Sequence, residues 1–308
     1  MNETAESPRT ARTGGTPADR PIPVTVIGLG PMGRAMVETL RASGTVVTVW
    51  NRSPEKAHAM KEFGAARADT VAPALDAGEV ILVSLTDYAA MYDVLGTAVD
   101  HLPGKTIVNL SSDSPEVTRT AARWVRARGG RFLAGGVMAD GAGVGGADSF
   151  IFYSGEREVF DACTEVLRPL GRPEYLGADV GLAQLYYQAV LAMFLSGLLA
   201  FEQALAMIER SGEPIERFLP YAQRSMGDMT GLYAGVAALA ADTGGWRDLA
   251  HLRMMAAGAG HVVETAAAVG VGTDLARAVQ DLWLHALSES ERTGEPVSTF
   301  QLLRGGTA

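Results

Sequence analysis

The 308-residue chain has a single cysteine, Cys163, so neither a disulfide framework nor a cysteine-cluster metal site can be built from it. Cys163 itself reads as a small core residue. Lysine is nearly as scarce: Lys56, Lys61 and Lys105 are the three, and none follows Lys105. Positive charge is short overall, with 26 Lys and Arg against 35 Asp and Glu and a formal net charge of −9. That balance argues against nucleic acid or an anionic membrane surface as the main partner. His251, His261 and His285 lack carboxylates at metal-binding spacing and read as ordinary helix residues, so no metal is expected. Residues 1–20 are polar, rich in Gly, Pro and Thr, and lack the apolar centre of a secretory signal. They read as a disordered tail, and a cytoplasmic protein is expected.

A 47% hydrophobic and 20% charged composition suits a soluble protein with a sizeable core, and the length suits two domains. Short β-branched runs at 22–28, 45–50, 79–85 and 105–110 alternate with helical stretches, which predicts a parallel sheet covered on both faces. Two more runs, at 131–135 and 149–155, flank a loop dense in glycine. After Gly177 helical periodicity rich in Ala, Leu and Met takes over, with helices expected at 181–210, 214–226, 228–241, 246–269 and 273–291. Residues 180–201 carry no charged side chain and are long enough to span a bilayer. Gln184, Gln188, Ser196 and two tyrosines interrupt that stretch, however, and Asp179 and Glu202 flank it without a basic anchor. It reads as a helix buried on all sides, between domains or subunits. Met193, Met207, Met226, Met229, Met254 and Met255, with Trp246, suit an adaptable apolar pocket and a helical core equally.

Gly28-Leu29-Gly30-Pro31-Met32-Gly33 follows a strand and opens a helix, the context a dinucleotide-binding glycine loop requires. The first glycine makes the turn, the second admits the pyrophosphate, and the third packs helix on strand. About 20 residues on, an NAD site would place Asp or Glu for the ribose 2′-hydroxyl. The sequence there is Asn51-Arg52-Ser53-Pro54-Glu55-Lys56. Asn51 removes the carboxylate that would repel a phosphate, Arg52 offers a fork, Ser53 a hydroxyl and Lys56 a second cation, so NADPH is the expected cofactor. Ser53 also reads as a helix N-cap. Leu85, Thr86, Asn109 and Ser111 fall at the carboxyl ends of later strands, along the ribose and nicotinamide. Ser112 and Ser114 serve equally as ligands or as caps of the helix at Pro115. The fold expected is an α/β Rossmann-type parallel-sheet domain, residues 21–178, followed by an all-α domain, residues 179–308, joined by a long interdomain helix.

The ordered set GLGPMG, NRSPEK, NLSS-x-SP, the glycine-rich loop and the G-x-x-Q opening of the junction helix resembles the β-hydroxyacid dehydrogenase superfamily over roughly residues 22–290. Such a dehydrogenase would carry a lysine on the junction helix six residues after a glycine, followed by an asparagine. Here Tyr187 stands six residues after Gly181, and Val190 takes the asparagine position. Its substrate loop is also replaced, by Ala134-Gly-Gly-Val-Met-Ala-Asp140. With these departures, and with the strings NLSSDSPE, GGVMA followed by IFYSG, and GLAQLYYQA, the chain is similar to the imine reductase family, including its reductive aminases, which put Asp or Tyr where the dehydrogenases put Lys.

The resemblance implies NADPH-dependent reduction of cyclic imines or iminium ions. It also implies a domain-swapped homodimer whose cleft lies between one chain's nucleotide domain and the other's helical domain. The physics is compatible. A protonated imine is already electrophilic, and a neutral tyrosine, with a reference pKa of about 10, donates to nitrogen without repelling a cation. Tyr187 is thus the candidate proton donor or orienting group; it also reads as a buried tyrosine with a structural partner. Tyr186 points about 100° away and reads as packing. Asp140 reads first as a solvated loop carboxylate and Asp179 as a cap of the junction helix. A carbonyl or hydroxyacid oxidoreductase using Tyr187, and a catalytically silent NADPH-binding sensor or scaffold, remain as alternatives.

Overall fold

β-branched residues line both faces of each early strand, so the strands can be buried only in a sheet covered on two sides. The computed structural model describes residues 21–246 and 248–305; the tail expected at residues 1–20 lies outside them. Its strands are β1 (Val24–Ile27), β2 (Val47–Trp50), β3 (Ala66–Arg67), β4 (Val80–Val83), β5 (Thr106–Asn109), β6 (Arg131–Val137), β7 (Phe150–Gly155) and β8 (Arg172–Gly177). They form one sheet in the order β3-β2-β1-β4-β5-β6-β7-β8. The first six are parallel, and β7 pairs with β6 antiparallel. β8 then runs parallel to β7, with a register irregularity at Tyr153/Ser154. β3 and β8 are absent from the sequence reading. β3 is two residues long, and β8 carries Pro173 at the sheet edge, where a missing N–H is tolerated.

The helices between these strands are α1 (Pro31–Ala42), α2 (Pro54–Ala59), α3 (Val71–Ala77), α4 (Tyr88–Leu95), α5 (Pro115–Arg126) and α6 (Arg157–Leu167). Alternate strand residues feed two cores. Val26, Val49, Leu82 and Val108 meet Met36, Val37 and Leu40 of α1 on one face. Ile27, Ile81, Val83 and Ile107 meet Leu75, Tyr88, Met91 and Ala121 on the other. The strand order reverses between β2 and β4 around β1, and the crevice outside the carboxyl ends at such a reversal is where ligands bind in open α/β sheets.

The remaining helices are α7 (Leu182–Arg210), α8 (Ile215–Asp242), α9 (Leu249–Ala268), α10 (Asp274–Thr293) and α11 (Thr299–Leu303). Two compact units divide between Leu191 and Ala192, so the first turns of α7 belong to the sheet unit. In the helical unit α9 and α10 pack as a pair around Leu252, Ala256, Val263, Ala276 and Ala286. The helices expected at 214–226 and 228–241 are one, α8, because a lone glycine such as Gly227 costs only about 1 kcal/mol within a helix.

The sequence reads residues 180–201 as a helix buried between domains or subunits, and among the described residues the single chain leaves much of that helix uncovered. In the single chain Met193 is 55% and Phe194 61% exposed, and the buried residues of α7 are Ala183 and Gln184. α7 is long and apolar enough to cross a membrane by length and composition. Met193, Met226, Met229 and Met254 are likewise exposed rather than in a helical core.

Candidate active site

Three glycines follow β1, and each answers a different constraint. Gly28 has φ +95°, and a Cβ there would lie 2.1 Å from the carbonyl oxygen of Ser84. At Gly33 a Cβ would lie 1.9 Å from the carbonyl oxygen of Gly28, the contact that lets α1 pack on β1. Gly30 has an ordinary φ of −68°, and no protein atom lies within 4 Å of where its Cβ would stand. The chain's own packing does not need that space. Gly30 is also the N-cap of α1 and makes no side-chain cap, so the first N–H groups of the helix face an open cradle suited to an anion.

That cradle opens into a groove of about 410 Å³. Gly28, Leu29, Gly30, Pro31 and Met32 line it, as do Asn51, Arg52, Ser53 and Lys56, with Leu85, Thr86 and Asp93 among the others. Asn51 ties the two loops together: its Oδ1 accepts from the Leu29 N–H at 2.9 Å, and its Nδ2 donates to the Ser53 carbonyl at 3.1 Å. Ser53 occupies the N-cap position of α2 ahead of Pro54, as the sequence reads it, although its side chain makes no capping bond. Arg52 and Lys56 are exposed and have no ion-pair partner among the described residues. Two cations without an ion-pair partner among the described residues, beside a carboxamide, suit a phosphate, and no carboxylate stands at the Asn51 position to repel one.

A second cavity, of about 210 Å³, shares Met32, Ser84, Leu85 and Thr86 with the groove and is completed by Ser111, Ser112, Gly135, Gly136, Gln184 and Tyr187. Tyr187 is half-buried on α7. It reaches the wall because Gly136 has no side chain: a Cβ there would lie 2.8 Å from the Tyr187 Cβ. Tyr186 turns away and packs edge-on against Phe152, with ring centroids 5.6 Å apart, as expected for packing. Gln184, fully buried, donates to the carbonyls of Ser111 (3.1 Å) and Gly135 (3.0 Å) and accepts from the Asp113 N–H (3.2 Å). Gln188 donates to the Ser112 hydroxyl (2.9 Å) and the Asp113 carbonyl (3.1 Å).

Of the cofactor and catalytic residues expected from the sequence, all but Asn109, Ser111, Gly33 and Tyr187 line this groove. Ser111 and Tyr187 line the smaller cavity instead, and Asn109 and Gly33 line neither. Asn109 is fully buried; its Oδ1 accepts from the Ser111 N–H at 2.8 Å and its Nδ2 approaches the Met91 Sδ at 3.2 Å. It therefore shapes the turn that carries Ser111, whose hydroxyl in turn accepts from the Leu85 N–H at 3.1 Å. Ser114 caps α5 through the Val117 N–H, whereas Ser112 is engaged by Gln188. Ser84 and Gly136 line the smaller cavity without having been singled out; the glycine pair after Ala134 is the sequence signal for the latter.

The start of α7 is held by charge. Arg119 grips Asp179 with two bonds, Nε to Oδ1 at 2.9 Å and Nη2 to Oδ2 at 2.7 Å, and Asp179 Oδ1 also accepts from the Gly181 N–H at 3.0 Å. The bond from Arg119, then that from Gly181, pulls the Asp179 carboxyl down to about 2. Asp140 accepts from the Gly143 N–H at 2.7 Å and caps a short turn of the glycine-rich loop. Cys163 is a buried free thiol pushed up to about 11 by burial.

Comparison with known proteins bears on this site. Residues 23–183 match the NAD binding domain of 6-phosphogluconate dehydrogenase, and residues 179–305 match the C-terminal domain of NADPH-dependent reductive aminase-like proteins. The chain is 30% identical over 282 residues to an NADPH-dependent reductive aminase of Aspergillus oryzae, covering 90% of this chain and 95% of that one. The solved imine reductase of Streptomyces aurantiacus is 37% identical, with a TM-score of 0.84 over 92% of this chain and all of that one. A reductive aminase from Aspergillus terreus, solved with NADPH and ethyl-5-oxohexanoate, is 30% identical, with a TM-score of 0.81 over 91% of this chain and 96% of that one. On these relationships the chain belongs to the NADPH-dependent imine reductase and reductive aminase family.

Proposed function

We propose that this enzyme, which reduces C=N bonds with NADPH, uses Tyr187 to donate a hydrogen bond or proton to the substrate nitrogen. One observation carries the assignment: Tyr187 is the one titratable side chain lining the smaller cavity, among the described residues. A lysine there would repel an iminium ion, and a carboxylate would bind it but could not act as a donor while ionised. A neutral phenol holds the nitrogen without opposing its positive charge.

Bound NADPH supplies the hydride. The backbone N–H groups of the Gly28–Gly33 loop suit its pyrophosphate, and Arg52, Ser53 and Lys56 suit its 2′-phosphate. Ser84 and Ser111 would hold the ribose and nicotinamide side of the cofactor, and Met32, Leu110 and Val137 add apolar wall that limits water. The substrate class proposed is a small cyclic imine or iminium ion.

Oxidation of NADPH by the purified protein on five- to seven-membered cyclic imines at neutral pH tests the reading, with 3-hydroxy acids and NADP⁺ as the control. Tyr187→Phe should lower kcat about tenfold or more while the Kd for NADPH stays within about twofold. An unchanged kcat removes Tyr187 from the chemistry, and hydroxy-acid oxidation without imine turnover removes the substrate class.

We also infer a cytoplasmic homodimer that buries the apolar faces of α7 and α8. Phe194, Leu195, Leu198 and Leu199 on α7 and Met226, Leu232, Tyr233 and Val236 on α8 are all exposed in one chain. Soluble monomers rarely expose contiguous apolar patches beyond a few hundred Å². Sedimentation should give twice the mass of the chain; a monomer would contradict the inference.

A further inference from the structure

We propose that Gln184 is the positioning residue of this active site, holding the Tyr187 hydroxyl at its working height over the cavity. The proposal rests on the role given to Tyr187 above. Gln184 has no exposed surface and spends its amide entirely inside the protein. Both Nε2 protons are used, one on the Ser111 carbonyl and one on the Gly135 carbonyl, while Oε1 takes the Asp113 N–H.

Those partners lie on the loop after β5 and on β6, the two segments that wall the cavity opposite α7. One side chain thus joins three walls of the cavity. Tyr187 is three residues further along α7, on nearly the same face. The bonds from Gln184 fix how far α7 slides along β6. Gly136, next to Gly135, then determines how closely Tyr187 approaches. Slippage of the helix would carry the phenol away from the substrate nitrogen without touching the nucleotide groove, which Gln184 does not line.

A side chain that merely stabilised the fold would change stability, and its effect on kcat would simply add to that of Tyr187→Phe. A positioning residue acts through the phenol, so the two effects should overlap. The experiment is a double-mutant cycle of Gln184→Met and Tyr187→Phe, with a five-membered cyclic imine as substrate and NADPH binding read separately by fluorescence. Gln184→Met should lower kcat about tenfold or more in the wild-type background and less than about twofold in the Tyr187→Phe background, with the Kd for NADPH unchanged in both.

Gln184→Glu keeps the volume and the acceptor for the Asp113 N–H but loses both donors, and it carries the same cycle if Gln184→Met fails to fold. Additive losses, or loss of NADPH binding in parallel with kcat, overturn the assignment of Gln184 and leave that of Tyr187 intact. A Tyr187→Phe enzyme as fast as wild type overturns both.

Discussion

Gly136 and Tyr187 are in contact only because one of them lacks a side chain. A Cβ at Gly136 would stand 2.8 Å from the Tyr187 Cβ and 3.1 Å from the Ala183 carbonyl oxygen. Part of that overlap is with α7 backbone, so rotating the tyrosine would not relieve it. Gly136→Ala should therefore cost about 1–3 kcal/mol of stability and move α7 outward. Urea unfolding measures the first effect. Steady-state kinetics measures the second, as a fall in kcat with unchanged NADPH affinity. A variant with wild-type kcat would mean that the height of Tyr187 is not critical.

Arg52 and Lys56 are aligned on one side of the nucleotide groove and neutralised by no described residue. If they hold a 2′-phosphate, replacing both by Ala should cost NADPH and spare NADH. Each charge-assisted bond is worth about 1.5–3 kcal/mol, so the Kd for NADPH should rise at least about tenfold while that for NADH changes little. Fluorescence titration with the two nucleotides at fixed ionic strength decides it. Equal losses for both would place the phosphate elsewhere.

What could be read from the residues alone was whatever local pattern determines. β1, β2, β4 and β5 announce themselves as β-branched runs, and Gly28, Gly30 and Gly33 have the spacing of a nucleotide loop between a strand and a helix. β8 hides behind Pro173 and Glu174, because an edge strand need not alternate. Asn109 lies where the strand-end rule puts a ligand residue, yet its side chain turns into the core toward Met91. Facing alternates at every residue along a strand, so a strand-end position alone does not say which way a side chain points. The three bonds of Gln184 join residues 49 to 73 positions apart, which no periodicity encodes. The uncovered side of α7 has a related cause: apolarity says that a helix will be covered, and not which chain covers it.

The Arg119–Asp179 pair gives a pH dependence with a definite sign. Its carboxyl sits at about 2 in the folded protein, mainly through the bond from Arg119, against about 3.9 in an unfolded chain. A depressed carboxylate contributes stability that is complete above the unfolded value and is lost as pH falls through the folded one. The contribution should therefore disappear between about pH 4 and pH 2, and it is modest because both side chains are partly exposed. Melting temperatures of the wild type and Asp179→Asn should differ at pH 6 and converge toward pH 2. A constant gap would show that the carboxylate's charge does not carry the effect of Asp179.

Gly30 and Gly33 are two glycines of one motif that should fail in opposite ways. A Cβ at Gly33 would stand 1.9 Å from the Gly28 carbonyl oxygen, a backbone atom that no rotamer change can move. Gly33→Ala should destabilise the fold by several kcal/mol, at or above the ~3 kcal/mol end of core overpacking, whether or not nucleotide is present. At Gly30 the backbone suits any residue and the Cβ would meet open space. Gly30→Ala should melt at or slightly above the wild-type temperature, because alanine narrows the unfolded ensemble. Its methyl group would nevertheless stand in the cradle at the N-terminus of α1, where the pyrophosphate must approach the backbone. NADPH affinity should fall by about 1–3 kcal/mol, roughly five- to 150-fold, with no loss of stability in the free protein. Calorimetric melting without nucleotide and titration with NADPH separate the two effects. A Gly30→Ala protein that binds NADPH as the wild type does would mean that the open space at Gly30 is not the pyrophosphate cradle.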